Sequence, residues 1–133
     1  MPRFLAFFTG LLLLASCEDR KPTLPPADQT YTLRAVVTAL PNPPKQALRL
    51  HHEAIPNFVG HDGKVEAMDE MEMEFPFLAP EAKLDGIAVS DKVEAVMEIR
   101  WKAKEVFLLT SIRKLPADTK LNLGDLEPAS SPK

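Results

Sequence analysis

The sequence predicts an all-β domain, a small antiparallel barrel of five strands, and three observations lead to this fold class. Apolar residues recur at every second position in several short runs, which is the period of a strand. Prolines and glycines separate these runs, and no segment shows a convincing helical period. An OB-like barrel is the best fit, because closure leaves no long strand edge exposed. An open β-sandwich is the alternative that periodicity cannot separate from it.

The five strands are expected at residues 31–40, 47–55, 68–78, 92–101 and 105–115. The first places alternate apolar side chains on one face: Leu33, Ala35, Val37 and Ala39. It must end before the proline-rich turn that begins at Pro41, because proline lacks the N–H that a central strand needs. Residues 56–67 contain two glycines in a polar setting and indicate a long loop. Pro76 should interrupt the third strand, since proline is tolerated only at an edge, a strand end or a bulge.

The second and third strands contain the most informative side chains. His52 continues the apolar stripe of Leu48 and Leu50, whereas His51 points to the other face. The third strand alternates sulfur or aromatic side chains with carboxylates, with Met71, Met73 and Phe75 on one face and Glu70, Glu72 and Glu74 on the other. One histidine and two methionines are therefore expected on the face that should be apolar.

This combination of side chains favours a soft metal. A neutral thioether binds Cu(I) or Ag(I) far better than Mg, Ca or Zn, and imidazole is the usual nitrogen partner of copper. Two alternatives stay open: the methionines could simply fill the core, and the glutamate row could be a solvated outer face or dock a partner. A harder site is a weaker candidate, because its four residues lack the spacing of a zinc motif: His51, Glu53, His61 and Asp62.

The N-terminus indicates export and lipidation. Arg3 precedes an apolar run that ends at Ser16 and is shorter than the roughly 20 residues of a membrane-spanning helix, which is typical of a signal segment. The four residues from Leu14 to Cys17 resemble the lipobox of bacterial lipoproteins, in which the cysteine is acylated. Cys17 is the only cysteine, so no intramolecular disulfide can form.

Composition sets the domain organisation. We expect a signal peptide at 1–16, a lipidated tether at 17–29, the barrel at 30–116 and a flexible tail at 117–133, because both flanking segments are polar and rich in proline.

The net charge of −3 disfavours a nucleic-acid partner, because binding to nucleic acid requires a clustered basic surface. No phosphate-binding loop or nucleophile elbow is present in the sequence, so no enzyme is expected.

The residues at 51–56, 71–75 and 90–93 together resemble the periplasmic copper-binding family typified by the CusF chaperone. The resemblance covers about residues 31 to 115. It implies a five-stranded OB-type barrel that binds Cu(I) or Ag(I) through one histidine and a Met-x-Met pair, with a tryptophan over the metal. By register, the family's histidine corresponds to His52 and its methionines to Met71 and Met73.

Two features depart from that family. Met68 stands at the tryptophan position, which removes the cation–π cap and offers a thioether as a fourth ligand. The segment between His52 and Met68 is also longer than in the best-known member. Trp101, the only tryptophan, ends the predicted fourth strand and is expected to be structural.

The expected protein is a lipid-anchored, extracytoplasmic Cu(I)/Ag(I)-binding lipoprotein. It would act as a monomeric metallochaperone or buffer in copper homeostasis, exchanging copper with an efflux system or an oxidase assembly factor. The alternative is a lipoprotein interaction module that binds a protein partner and uses the methionines as core. A blue-copper redox enzyme comes third, because such sites need a cysteine thiolate and Cys17 is expected to be acylated.

Overall fold

The computed structural model describes residues 23–124, so the predicted signal peptide and Cys17 lie outside the described residues. The described chain is all-β and contains six strands: β1 (Gln29–Ala39), β2 (Leu48–His52), β3 (Met71–Phe75), β4 (Phe77–Leu78), β5 (Lys92–Ile99) and β6 (Phe107–Lys114). Between residues 23 and 124 there is no helix that could cross a membrane.

The six strands form one sheet in the order β3-β2-β1-β5-β6-β4. Neighbouring strands are antiparallel, except that β4 pairs with β6 in parallel. Only Pro76 separates Phe75, on one edge strand, from Phe77, on the other. Because two residue steps span at most about 7 Å, the two edges must meet there. The sheet is therefore curled into an OB-like barrel.

The OB-like fold class is confirmed, with one difference in strand count. The third predicted strand is split at Pro76 into β3 and β4, because proline has no N–H to donate to a ladder. The second half then pairs with β6 in parallel, a pairing that the prediction of an antiparallel barrel did not include. The bent strand is what closes the barrel.

The inward faces of the strands form one apolar core. The alternation predicted for the first strand is observed, since Leu33, Ala35 and Val37 are buried. Ala39 is only half-buried, because the β1–β2 register shifts between Val37 and Ala39. In β5 every second residue is buried: Val93, Ala95, Met97 and Ile99. Full burial of each larger apolar side chain contributes about 1.5–3 kcal/mol.

The described parts of both flanking segments contact the barrel. Before β1, the Asp28 carboxylate accepts a hydrogen bond from the backbone N–H of Trp101 at 2.9 Å. After β6, the backbone carbonyl of Ala117 accepts a hydrogen bond from Lys92 Nζ at 2.8 Å. Residues 117–124, the described part of the predicted tail, thus begin with a contact to the sheet.

Candidate metal site

His52 lies at the end of β2 with its side chain in the barrel interior. It is fully buried, and its neighbours across the two adjacent ladders are Ala35 in β1 and Met71 in β3. The alternation of β2 predicts this position, because Leu48 and Leu50 on the same face are also fully buried. The histidine therefore replaces an aliphatic residue in the core stripe.

The polar contacts of His52 define its tautomer. Nδ1 lies 2.7 Å from the backbone carbonyl oxygen of Glu53. A carbonyl can only accept, so Nδ1 carries the proton and Nε2 has a free lone pair. Nε2 is buried and has no hydrogen-bond partner among the described residues. Leaving a buried polar atom unpaired costs about 1–3 kcal/mol. A free lone pair on a buried imidazole nitrogen is the arrangement that a metal ligand requires.

The predicted methionine pair lies on the same face as His52. In the β2–β3 ladder Met71 is directly opposite His52, and Met73 is directly opposite Leu50. Opposite residues of an antiparallel pair have Cβ atoms about 4.5–5.5 Å apart on one face of the sheet. Met73 is half-buried against the core, whereas Met71 is 42% exposed. Met71 thus marks the solvent side of the site.

Met68 lies on the inner side of the barrel, although it is three residues before Met71 and regular alternation would place it on the opposite face. It forms a two-bond backbone bridge with Ile55, with N···O distances of 2.8 and 3.0 Å. Residues 69–70 between this bridge and β3 are outside any strand, which breaks the regular alternation of faces. Met68 is half-buried and packs against the core. The predicted ligands therefore lie close together in the sheet: His52 at the end of β2, Met71 and Met73 in β3, and Met68 at the bridge just before β3. That these side chains bind a metal stays a prediction.

The outer face of β2–β3 carries paired charges. Arg49 Nε donates to the Glu74 carboxylate at 3.0 Å, and Arg49 Nη1 lies 3.3 Å from Glu72. The hydrogen bond and charge of Glu74 raise the pKa of Arg49 above its usual value. His51 Nε2 contacts the Glu70 carboxylate, and His51 is only 8% exposed. Alternation placed His51 on this face correctly but did not predict its burial beside Glu70.

The harder metal site considered from the sequence is not assembled. Across residues 23–124 no group of three or more histidine, cysteine, aspartate or glutamate side chains is close enough to hold a metal ion. His61 instead packs edge-on against Trp101, with ring centroids 5.5 Å apart. Trp101 also contacts Phe58 and Phe107 edge-on at 6.3 and 5.8 Å. These contacts fit the structural role expected for Trp101.

The sequence did not predict the position of Glu53 beside His52. It indicated Glu53 only as a possible ligand of a harder metal ion. Its carboxylate pairs with Arg34 at 2.8 and 3.2 Å, and its backbone carbonyl accepts the His52 hydrogen bond. Arg34 and Glu53 are 19 residues apart. The only available signal was the opposite charge of Arg34, in the first predicted strand, and Glu53, in the second, and their pairing can be recognised only when the register is known.

No family model matches the sequence, and no curated protein matches it. Among solved structures, the chain is similar to apo-CusF from Escherichia coli, with 22% identity and a TM-score of 0.47 over 66% of this chain and 89% of that one. A structure of Ag(I)CusF has 22% identity and a TM-score of 0.45 over 65% and 99% of the two chains.

A third similar structure is a Cu(II) form of Escherichia coli CusF in which a tryptophan is replaced by alanine. Its identity is 19% and its TM-score 0.45, over 70% of this chain and 100% of that one. All three are structures of CusF, which typifies the family that the sequence resembles.

Proposed function

We propose that this protein binds Cu(I) or Ag(I) outside the cytoplasm, through His52, Met71 and Met73 with Met68 as a fourth ligand. The observation that best supports the proposal is the buried Nε2 of His52, which has a free lone pair and no partner among the described residues. A metal ion bound there would offset the cost of leaving that atom unpaired.

The ligand chemistry favours monovalent soft ions. Three thioethers and one imidazole are all neutral, and thioethers in particular select Cu(I) over Mg, Ca or Zn. The carboxylates of β3 are paired with Arg49 on the outer face, so they are not offered to a hard cation on the inner face. Around the ligands the core is aliphatic and aromatic, with Leu48, Leu50 and Phe75 nearly or fully buried.

The exposure of Met71 supports a role in metal exchange. His52 is fully buried, whereas Met71 directly opposite is 42% exposed. A partner's thiolate or thioether could therefore reach the metal from the Met71 side while His52 still holds it. This access fits a metallochaperone or buffer better than a permanent structural metal. An efflux system and an oxidase assembly factor are the two kinds of partner that we propose.

The lipobox at residues 14–17 supports attachment to the cell envelope. One acyl chain binds a membrane only marginally, so the proposed anchor requires the several chains that a mature lipoprotein carries on its cysteine. The polar, proline-rich residues after Cys17 would let the domain reach a partner.

The second candidate is a metal-free interaction module, in which the methionines only fill the core. The packing of Met68 and Met73 against the core is compatible with it. The exposure of Met71 and the unpaired Nε2 of His52 favour the metal instead.

Titration with Cu(I) under reducing conditions, against a chromophoric Cu(I) chelator, separates the two candidates. The proposed function predicts one tightly bound equivalent per chain. An interaction module would bind none, and that result would overturn the proposal.

A further inference from the structure

Every polar group of Glu53 has a partner. Its N–H donates to the Arg34 carbonyl at 2.9 Å, and its own carbonyl accepts the hydrogen bond from His52 Nδ1 at 2.7 Å. Its carboxylate accepts two further bonds from the Arg34 side chain. We propose that Glu53 is a positioning residue, which keeps the proton of His52 on Nδ1 and the lone pair on Nε2. This inference rests on the proposed function, which it deepens.

The strand ladder alone does not orient the Glu53 carbonyl. Strand β2 ends at His52, and the β2–β3 ladder has His52 and Met71 as its last pair. Glu53 is therefore outside the strand, where a peptide group has more freedom to rotate. Since the tautomer of His52 depends on this one carbonyl, other contacts must fix its direction.

The Arg34 side chain provides such a contact in bidentate form. Nε donates to Oε2 of Glu53 at 3.2 Å, and Nη2 donates to Oε1 at 2.8 Å. Paired bonds of this kind restrict direction as well as adding energy. Glu53 also raises the pKa of Arg34 through the hydrogen bond and its charge. The Glu53 side chain is 20% exposed to solvent and the Arg34 side chain 42%.

The segment after β6 adds a third contact. We call residues 116–124 the strap. The Asn122 N–H donates to Oε1 of Glu53 at 2.7 Å, and Arg34 Nη2 donates to the Lys120 carbonyl at 3.3 Å. The strap thus crosses the Arg34–Glu53 pair and holds the carboxylate from a second direction. Its half-buried side chains alternate along the segment: Thr119, Leu121 and Leu123.

The same face of the sheet offers a matched control. Arg113 Nε and Nη2 donate to the Glu94 carboxylate at 3.0 and 2.8 Å, across β5 and β6. This pair has the same chemistry, and neither of its residues adjoins His52. Glu94 lies opposite Arg34 in the β1–β5 ladder, so the control replaces Arg113 and leaves Glu94 in place. Loss of the Arg113–Glu94 pair should lower the stability of the fold without changing the tautomer of the His52 ring.

The test is ¹⁵N NMR of the His52 ring in the metal-free full chain. The parent should show one tautomer, with Nδ1 protonated. In Glu53→Ala, Arg34→Ala and Asn122→Pro, which removes the N–H donor, the Nε2-protonated form should appear. Cu(I) affinity should fall by about 10- to 100-fold in Glu53→Ala, as for other residues that orient a metal ligand. Arg113→Ala should leave both unchanged, and Glu53→Gln, which keeps an oxygen acceptor, should retain most of the parental tautomer.

An unchanged His52 tautomer in folded Glu53→Ala and Arg34→Ala would overturn the assignment, even if Cu(I) affinity fell. If Glu53→Ala does not fold, Arg34→Ala and Asn122→Pro decide the question. Because the tautomer is read without metal, this test is independent of the proposed function. A parent protein that binds no Cu(I) would contradict copper binding and would leave the role of Glu53 in orienting His52 to be judged by NMR alone.

Discussion

His52 and Met71 face each other across the β2–β3 ladder, one fully buried and the other 42% exposed. The pair therefore connects the barrel interior to the surface through two side chains that both bind soft metals. A metal held between them would have its nitrogen ligand inside the core and a sulfur ligand within reach of a partner.

The two adjacent histidines should differ sharply in their contribution to copper binding. His52→Ala removes the proposed nitrogen ligand, and we expect Cu(I) affinity to fall by more than about 100-fold, beyond the effect typical of residues behind a ligand. His51→Ala removes a contact to Glu70 on the outer face and should have little effect. Competition titration with a chromophoric chelator measures both. Equal losses would contradict the assignment of the two histidines to different faces and roles.

Met68 should be a direct ligand of Cu(I). It packs against the core on the inner side, and its thioether can donate a lone pair to a soft metal. X-ray absorption of the Cu(I) form should show three sulfurs and one nitrogen, and Met68→Leu should lower the sulfur count by one. Two sulfurs and one nitrogen in both proteins would rule Met68 out.

Asp91 should make stability depend on pH in the acid range. Its carboxylate accepts a hydrogen bond from the Ala88 N–H at 2.8 Å and lies 3.2 Å from Lys114 Nζ. The Ala88 hydrogen bond is the main reason that the pKa of Asp91 is below its usual 3.8, and burial opposes it only in part. Since the folded pKa is the lower one, the carboxylate stabilises the fold above the unfolded pKa, and this contribution is lost as pH falls through the folded pKa.

Asp91→Asn should therefore lower the free energy of unfolding near neutral pH, and its difference from the parent should shrink as the pH falls below about 3.8. Urea unfolding at several pH values, followed by Trp101 fluorescence, measures this difference. Asp85→Asn, an exposed change in the same connection, is the control. A difference that does not change with pH would show that the charge of Asp91 is not the cause.

Much of the fold follows from local sequence. The alternation in β1, β2 and β5 predicted the buried faces correctly, because a strand repeats every second residue whatever it pairs with. The break at Pro76 was also predictable, since it follows from a missing N–H. The parallel pairing of β4 with β6 was not, because it depends on barrel closure between segments far apart in sequence.

The candidate site, like the fold, was only partly predictable from the sequence. Alternation placed His52 with Met71 and Met73 on one face, which the register confirms, but it could not predict how exposed Met71 would be. The bond from His52 Nδ1 to Glu53 and the pairing of Glu53 with Arg34 depend on backbone direction at a strand end and on cross-strand register. Neither leaves a periodic signal in the sequence.

Replacement of Cys17 with serine tests the proposed membrane attachment. A serine cannot form the thioether that links the cysteine to its diacylglyceryl group, so the Cys17→Ser variant should appear in the soluble fraction of the cell envelope. The parent should remain with the membrane fraction through several acyl chains. Fractionation followed by immunoblotting measures this, and a variant that stays in the membrane fraction would show that the anchor lies elsewhere.

The double variant Met71→Leu with Met73→Leu removes two thioethers at nearly constant volume. Such a swap in a core costs less than about 1.5 kcal/mol, and Met71 is already 42% exposed, so the fold should be retained. Circular dichroism and thermal unfolding check the fold. Met97→Leu, a change at a fully buried methionine of β5, is the matched control and should bind Cu(I) like the parent.

The Cu(I) affinity of this double variant tests copper binding by the His52 face most directly. We predict that the folded variant loses tight Cu(I) binding in chelator competition under reducing conditions, while Met97→Leu keeps one equivalent per chain. If the double variant binds Cu(I) as tightly as the parent, Met71 and Met73 are core residues only and the proposed site is wrong.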